Sequence, residues 1–107
     1  MKRGEVWWVN FDPSVGGEIR KKRPAVIISN DTSNRFLNRV QVVPMSSSVD
    51  RLYPSEAYVI IKGRKSKAMA DQLATVSKLR MISKEGVVSS ADLLNIETVI
   101  RTQLDLP

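Results

Sequence analysis

The strongest constraint on this chain is a change of hydrophobic period near its end. Up to residue 76 the apolar residues come in short runs, rich in Val, Ile and aromatics, each closed by polar, Gly or Pro residues. Such runs read as strands. After residue 89, Leu93, Ile96, Ile100 and Leu104 fall at helical spacing, flanked by Leu94 and Val99. Ser89-Ser90-Ala91-Asp92 opens this segment as a capping box, with Ser89 as N-cap and Asp92 reaching back, which predicts a helix over Ser90–Gln103. Strands first and one helix last give a mostly β (α+β) chain: a small half-open barrel sealed by its C-terminal helix, with residues 1–107 as a single domain.

The predicted strands are Glu5–Phe11, Pro24–Ser29, Arg39–Pro44 (stopped by Pro44) and Glu56–Ile61, then one or two short ones over Ala68–Ala70 and Leu73–Val76. Asp12–Glu18 is turn chemistry made pliable by Gly16-Gly17, and Lys62-Gly63-Arg64 is a hairpin-like turn. Asn30–Asn34 is a loop or a single helical turn, and Met45–Ser48 opens a polar loop. No run is long enough to span a membrane, and the start lacks an apolar stretch of signal-peptide type, so a cytoplasmic location is expected.

The chain has no Cys and no His. Disulfides, thiolate nucleophiles, imidazole bases and zinc-finger ligation are excluded together, and no metal or cofactor is expected. Any catalysis falls to Arg, Lys, Ser, Thr, Asp, Glu or Tyr. The net charge is +6, and it is uneven: residues 85–107 hold one cation, Arg101, against four anions. The basic body favours a polyanion, since each neutralised phosphate releases counterions. Of two cationic clusters, Arg20-Lys21-Lys22-Arg23 reads as a binding surface. The other, with Lys62, Arg64, Lys65 and Lys67, reads on its own as a solvated face.

The stretch Arg23-Pro24-Ala25-Val26-Ile27-Ile28-Ser29-Asn30-Asp31 resembles the MazF/PemK family of bacterial toxins. The likeness covers nearly the whole chain. It includes Arg3-Gly4-Glu5-Val6-Trp7, Asp12-Pro13, Gly16-Gly17-Glu18, Val42-Val43-Pro44-Met45-Ser46-Ser47, Ala70-Asp71-Gln72-Leu73 and the ending Leu104-Asp105-Leu106. The resemblance implies an SH3-like or CcdB-like barrel of five to seven strands and a homodimer. It implies metal-independent, sequence-selective cleavage of single-stranded RNA, leaving a cyclic phosphate or 3′-phosphate and a 5′-hydroxyl. It also implies a cognate antitoxin whose acidic tail covers the RNA groove.

Such cleavage is an internal transfer in which the ribose 2′-oxygen attacks phosphorus and expels the 5′-oxygen. The enzyme must hold extra negative charge on phosphorus and manage two protons. Arg23 falls at the family's catalytic Arg, and a guanidinium matches phosphate oxygens bidentately. The plain alternative is an Arg that tops a strand and pairs with Glu18. Ser46 stands where the family has a catalytic Thr, and its hydroxyl can donate to phosphate, with Ser47 or Ser48 able to share the task. Glu18 occupies an acidic family position, as a base or as a group that orients Arg23. Arg20, Lys21 and Lys22 are expected to contact phosphates. Asp71 and Gln72 are expected to contact base edges, or else to form an internal hydrogen-bonded pair. Ala74 stands where family members often carry a cation. Trp7, Trp8 and Phe36 offer stacking faces, and at most one of the adjacent tryptophans faces the core. A related gyrase-poisoning toxin would carry a C-terminal Trp-Gly-Ile, which Leu104-Asp105-Leu106-Pro107 does not supply. A passive RNA-binding barrel is the third reading.

Overall fold

A computed structural model describes residues 1–107. Seven strands, β1 (Glu5–Asn10), β2 (Lys22–Ile27), β3 (Arg39–Ser46), β4 (Glu56–Ile61), β5 (Arg64–Met69), β6 (Ala74–Ser77) and β7 (Met81–Val87), are joined by α1 (Asp31–Phe36) and end in α2 (Ser90–Leu104). All ladders are antiparallel, in the order β4-β5-β3-β2-β1-β7, with β6 also on β3. The sheet curls into a half-barrel. Its faces bury two apolar clusters, one around Val6, Val26, Val43, Met45, Val59 and Ile96, the other around Val9, Phe11, Ala25, Ile27, Val40 and Val42. Period-2 alternation in β1, β2 and β3 produces this split, one residue to each face in turn. Helix α2 seals the first cluster with Ile96, Leu93 and Ile100.

Three expectations about the strands need correction. Strand β3 runs through Pro44 to Ser46 rather than stopping there. Gln41 both accepts from Ile28 N–H and donates to Ser29 Oγ, so odd positions of β3 point their backbone at β2 and Pro44 points away. On that side the strand passes from β6, paired as far as Val42, to β5, paired from Met45. A residue without an N–H therefore loses no ladder bond there. Strand β5 starts at Arg64, because Lys62 and Gly63, both with positive φ, make a two-residue turn between the paired Ile61 and Arg64. Strand β7 was not anticipated: Ser83 and Lys84 interrupt its pattern, and it pairs only with β1 as an exposed edge.

The capping box is half formed. Ser89 Oγ accepts from Asp92 N–H at 3.1 Å, as expected. The Asp92 carboxylate instead accepts from Ile60 N–H at 3.0 Å, capping an unpaired donor on edge strand β4. Lys67 is likewise not part of a solvated face. It is 7% exposed, pairs with Glu56 at 2.9 Å, and donates to Arg51 O at 3.1 Å. Glu56 also accepts from Tyr53 N–H, and Tyr58 Oη donates to Val49 O. Together these bonds pin the β3–β4 loop that begins beside Ser46. No helix is long and apolar enough to cross a membrane.

Candidate functional site

Arg23 lies near the start of β2, paired with Val9 of β1. Alternation places it on the face of Ala25 and Ile27. Continuing the β2–β3 register two positions beyond Ala25–Pro44 sets Ser46 across from Arg23, on the same face. The two leading candidates thus fall on one face of neighbouring strands that the sequence separates by a helix and a loop. Only the Arg23 Nε is engaged within the chain, donating to Arg20 O at 3.3 Å. Arg23 forms no ion pair, so the pairing with Glu18 is absent. Both terminal nitrogens are left for a ligand.

Ser46 Oγ accepts from Ser48 N–H at 3.2 Å. That bond occupies a lone pair and leaves the hydroxyl proton to donate elsewhere. Ser47 and Ser48 are exposed at the start of the pinned loop. The resemblance, which sets Ser46 at the family's catalytic Thr, together with this geometry gives an expected ranking. Ser46→Ala will lower the cleavage rate more than Ser48→Ala, whose backbone N–H survives, and Ser46→Thr will keep or raise it; single-turnover cleavage of one RNA by the three variants gives the ranking.

Glu18, Asp71 and Gln72 line a separate hollow of about 350 Å³ with Phe11 and Arg80. Glu18 is exposed, and its carboxylate accepts from Val15 N–H at 2.8 Å, bracing its own loop rather than Arg23. Asp71 is exposed and makes no side-chain bond within the chain. The sequence does not betray what Gln72 does: its Oε1 accepts from Ile19 N–H at 2.9 Å and its Nε2 donates to Gly17 O at 3.1 Å. The side chain of the β5–β6 turn therefore grips the middle of the β1–β2 loop. Asp71 and Gln72 form no pair with each other. These bonds use one N–H and one lone pair of the amide, which leaves one donor and one acceptor for a base. Gln72→Leu will release the loop, and amide exchange at Ile19 will accelerate by roughly tenfold, the loss of about one hydrogen bond.

The loop base is also fixed, by Phe11 N–H to Lys21 O and by Lys21 N–H to the Asp12 carboxylate, both at 2.9 Å. Lys21 adopts positive φ there. Arg20, Lys21 and Lys22 are all exposed, and Lys21 and Lys22 line a second, larger hollow with Arg23 and Ser47. Trp7 packs on the second apolar cluster, whereas Trp8 lines this larger hollow. Phe36 is 73% exposed at the end of α1 and borders neither hollow.

Residues 2–104 match the family model described as a PemK-like, MazF-like toxin of type II toxin–antitoxin systems. The chain is 33% identical over 117 residues to endoribonuclease MazF9 of Mycobacterium tuberculosis, covering 99% of this chain and 98% of that protein. It is 32% identical over 98 residues to the endoribonuclease toxin MazF of Escherichia coli, covering 91% and 87%. Among solved structures, MazF of Deinococcus radiodurans superposes with a TM-score of 0.88 at 22% identity, covering 99% and 97%. A mycobacterial endoribonuclease in complex with its cognate antitoxin gives 0.84 at 24%, covering 100% and 97%. The half-barrel, its sealing helix and the match over residues 2–104 agree: this chain belongs to the PemK-like, MazF-like toxin family of type II toxin–antitoxin systems.

Proposed function

We propose that the chain is an endoribonuclease toxin that cuts single-stranded RNA without a metal, by attack of the 2′-oxygen on the adjacent phosphorus. The observation that carries this reading is the unpaired guanidinium of half-buried Arg23 on β2, on the sheet face to which the register of neighbouring β3, continued, brings half-buried Ser46. Arg23 holds the extra charge of the phosphorane-like transition state, and Ser46 donates to one of its oxygens. The ends left are a 2′,3′-cyclic phosphate, or the 3′-phosphate from its hydrolysis, and a 5′-hydroxyl. Glu18, freed from its bond to Val15, is the carboxylate available as a base or as an orienting group. Arg20, Lys21 and Lys22 position phosphates, and Asp71 and Gln72 read bases at the smaller hollow. The working form is a homodimer in the cytoplasm, held silent by an antitoxin whose acidic tail competes for the basic face.

The test is incubation with a long unstructured RNA in EDTA, mapping both ends of every product. Cuts at a recurring short sequence that bear 5′-hydroxyl ends are expected. Cleavage that stops in EDTA, or products with 5′-phosphates, would replace the mechanism with a metal-assisted one.

A further inference from the structure

The larger hollow has a volume of about 650 Å³ and opens at the mouth of the half-barrel. Its walls carry six cations, Lys21, Lys22 and Arg23 on one side and Lys62, Arg64 and Lys65 on the other, against one carboxylate, Glu85. Only Lys62 is paired with that carboxylate, at 3.6 Å; the other five have no carboxylate within reach. So many like charges around one hollow repel each other unless an anion enters. The second wall is the tip of the β4–β5 hairpin, whose register the two-residue turn at Lys62-Gly63 sets.

Trp8 gives the hollow a further property. The residue is 36% exposed, and its Nε1–H already donates to Glu85 at 2.8 Å. The ring is thereby oriented and has no donor left to offer; what it presents is a π-face. Glu85 remains ionised, its carboxyl held below the usual range by the Trp8 bond and by Lys62. A flat aromatic face beside a line of cations suits a chain that alternates bases with phosphates.

We propose that this hollow binds the substrate RNA beyond the cut, with one base stacked on Trp8 and the flanking phosphates on Lys62, Arg64 and Lys65. The assignment rests on the endoribonuclease reading above. Arg23 and Ser47, which border the hollow, join it to the cutting face. The subsite supplies affinity for longer substrates and leaves the chemical step alone. The exposed triple variant Lys62→Gln/Arg64→Gln/Lys65→Gln will raise KM for a long RNA about tenfold at 0.15 M salt. It will flatten the salt dependence of binding by about two units of slope, at roughly 0.7 per phosphate on a single strand. Trp8→Ala will weaken binding by about five- to a hundredfold. In both, kcat and the cutting of a minimal oligonucleotide stay unchanged.

A direct reading uses Trp7→Phe, which leaves Trp8 as the sole tryptophan. Titration with an uncleavable 2′-O-methyl oligonucleotide will quench its fluorescence, and an abasic site at one position will abolish the quench. If long and short RNAs respond identically in every variant while the wild type still cuts, the subsite is overturned. If the variants instead lose affinity only for a glutamate-rich synthetic peptide, the hollow takes acidic protein and the RNA assignment falls. A wild type that cuts no RNA overturns the endoribonuclease reading itself, separately from these arms.

Discussion

Arg23→Ala will lower the single-turnover cleavage rate at least about 10²–10³-fold, the usual loss when one preorganised charge stabiliser is removed. The fold will survive, because the Arg23 side chain makes only one intramolecular bond, a long one to Arg20 O. Circular dichroism and the melting temperature should match the wild type. Arg23→Lys sharpens the test. It keeps the charge but loses the planar fork, so it will recover only a small part of the rate. Full activity in the lysine variant would mean that a point charge is enough and that no bidentate contact exists. Unchanged turnover in Arg23→Ala would move the chemistry off this face altogether.

The second large effect concerns stability. Glu56→Ala leaves Lys67 charged at a site where it is 7% exposed, and this will cost about 3–5 kcal/mol. In a domain of this size that is a fall in melting temperature on the order of 15–20 °C. Replacing both partners together, Glu56→Leu with Lys67→Met, removes the stranded charge and will return stability to near the wild-type value. Cleavage will not return with it. The double variant has lost the bonds from Lys67 to Arg51 O and from Tyr53 N–H to Glu56, which hold the loop after Ser46. Thermal melts and cleavage rates on the same two proteins separate the roles. If the double variant cuts as fast as the wild type, loop anchoring has no part in activity.

The large features of the fold were legible because they depend on local pattern. The aromatic and β-branched run at Glu5–Phe11 and the alternation in Arg39–Pro44 show strands, and the Leu93, Ile96, Ile100 stripe shows the sealing helix. What escaped depends on partners distant in sequence. Strand β7 pairs only with β1, about seventy-five residues earlier, and Ser83, Lys84 and Gly86 break up the signal of its Ile82 and Val87. Lys67 reads as one more cation in a basic run until the hairpin brings Glu56 diagonally across from it. Pro44 stops a strand by rule, and is tolerated here because β3 changes partners at that residue. At the candidate site, a recognisable pattern proposes Arg23 and Ser46, which lie on neighbouring strands. The role of Gln72 was not legible, since the backbone it grips lies more than fifty residues away.

The alternation of β2 has a consequence for how such a chain loses its potency. Within β2, Arg23 alternates with the face of Ala25 and Ile27 and Pro24 with the face of Val26, so neighbouring codons answer to different demands. Cells selected for survival after inheriting this gene should therefore yield two kinds of escape mutant. One kind, altered in the interior around Val26 or Val43, makes no persistent protein. The other, altered at Arg23 or Ser46, makes a stable, harmless one that still occupies its antitoxin. Only the second kind would unleash an intact copy of the toxin in the same cell, by drawing off the molecule that restrains it.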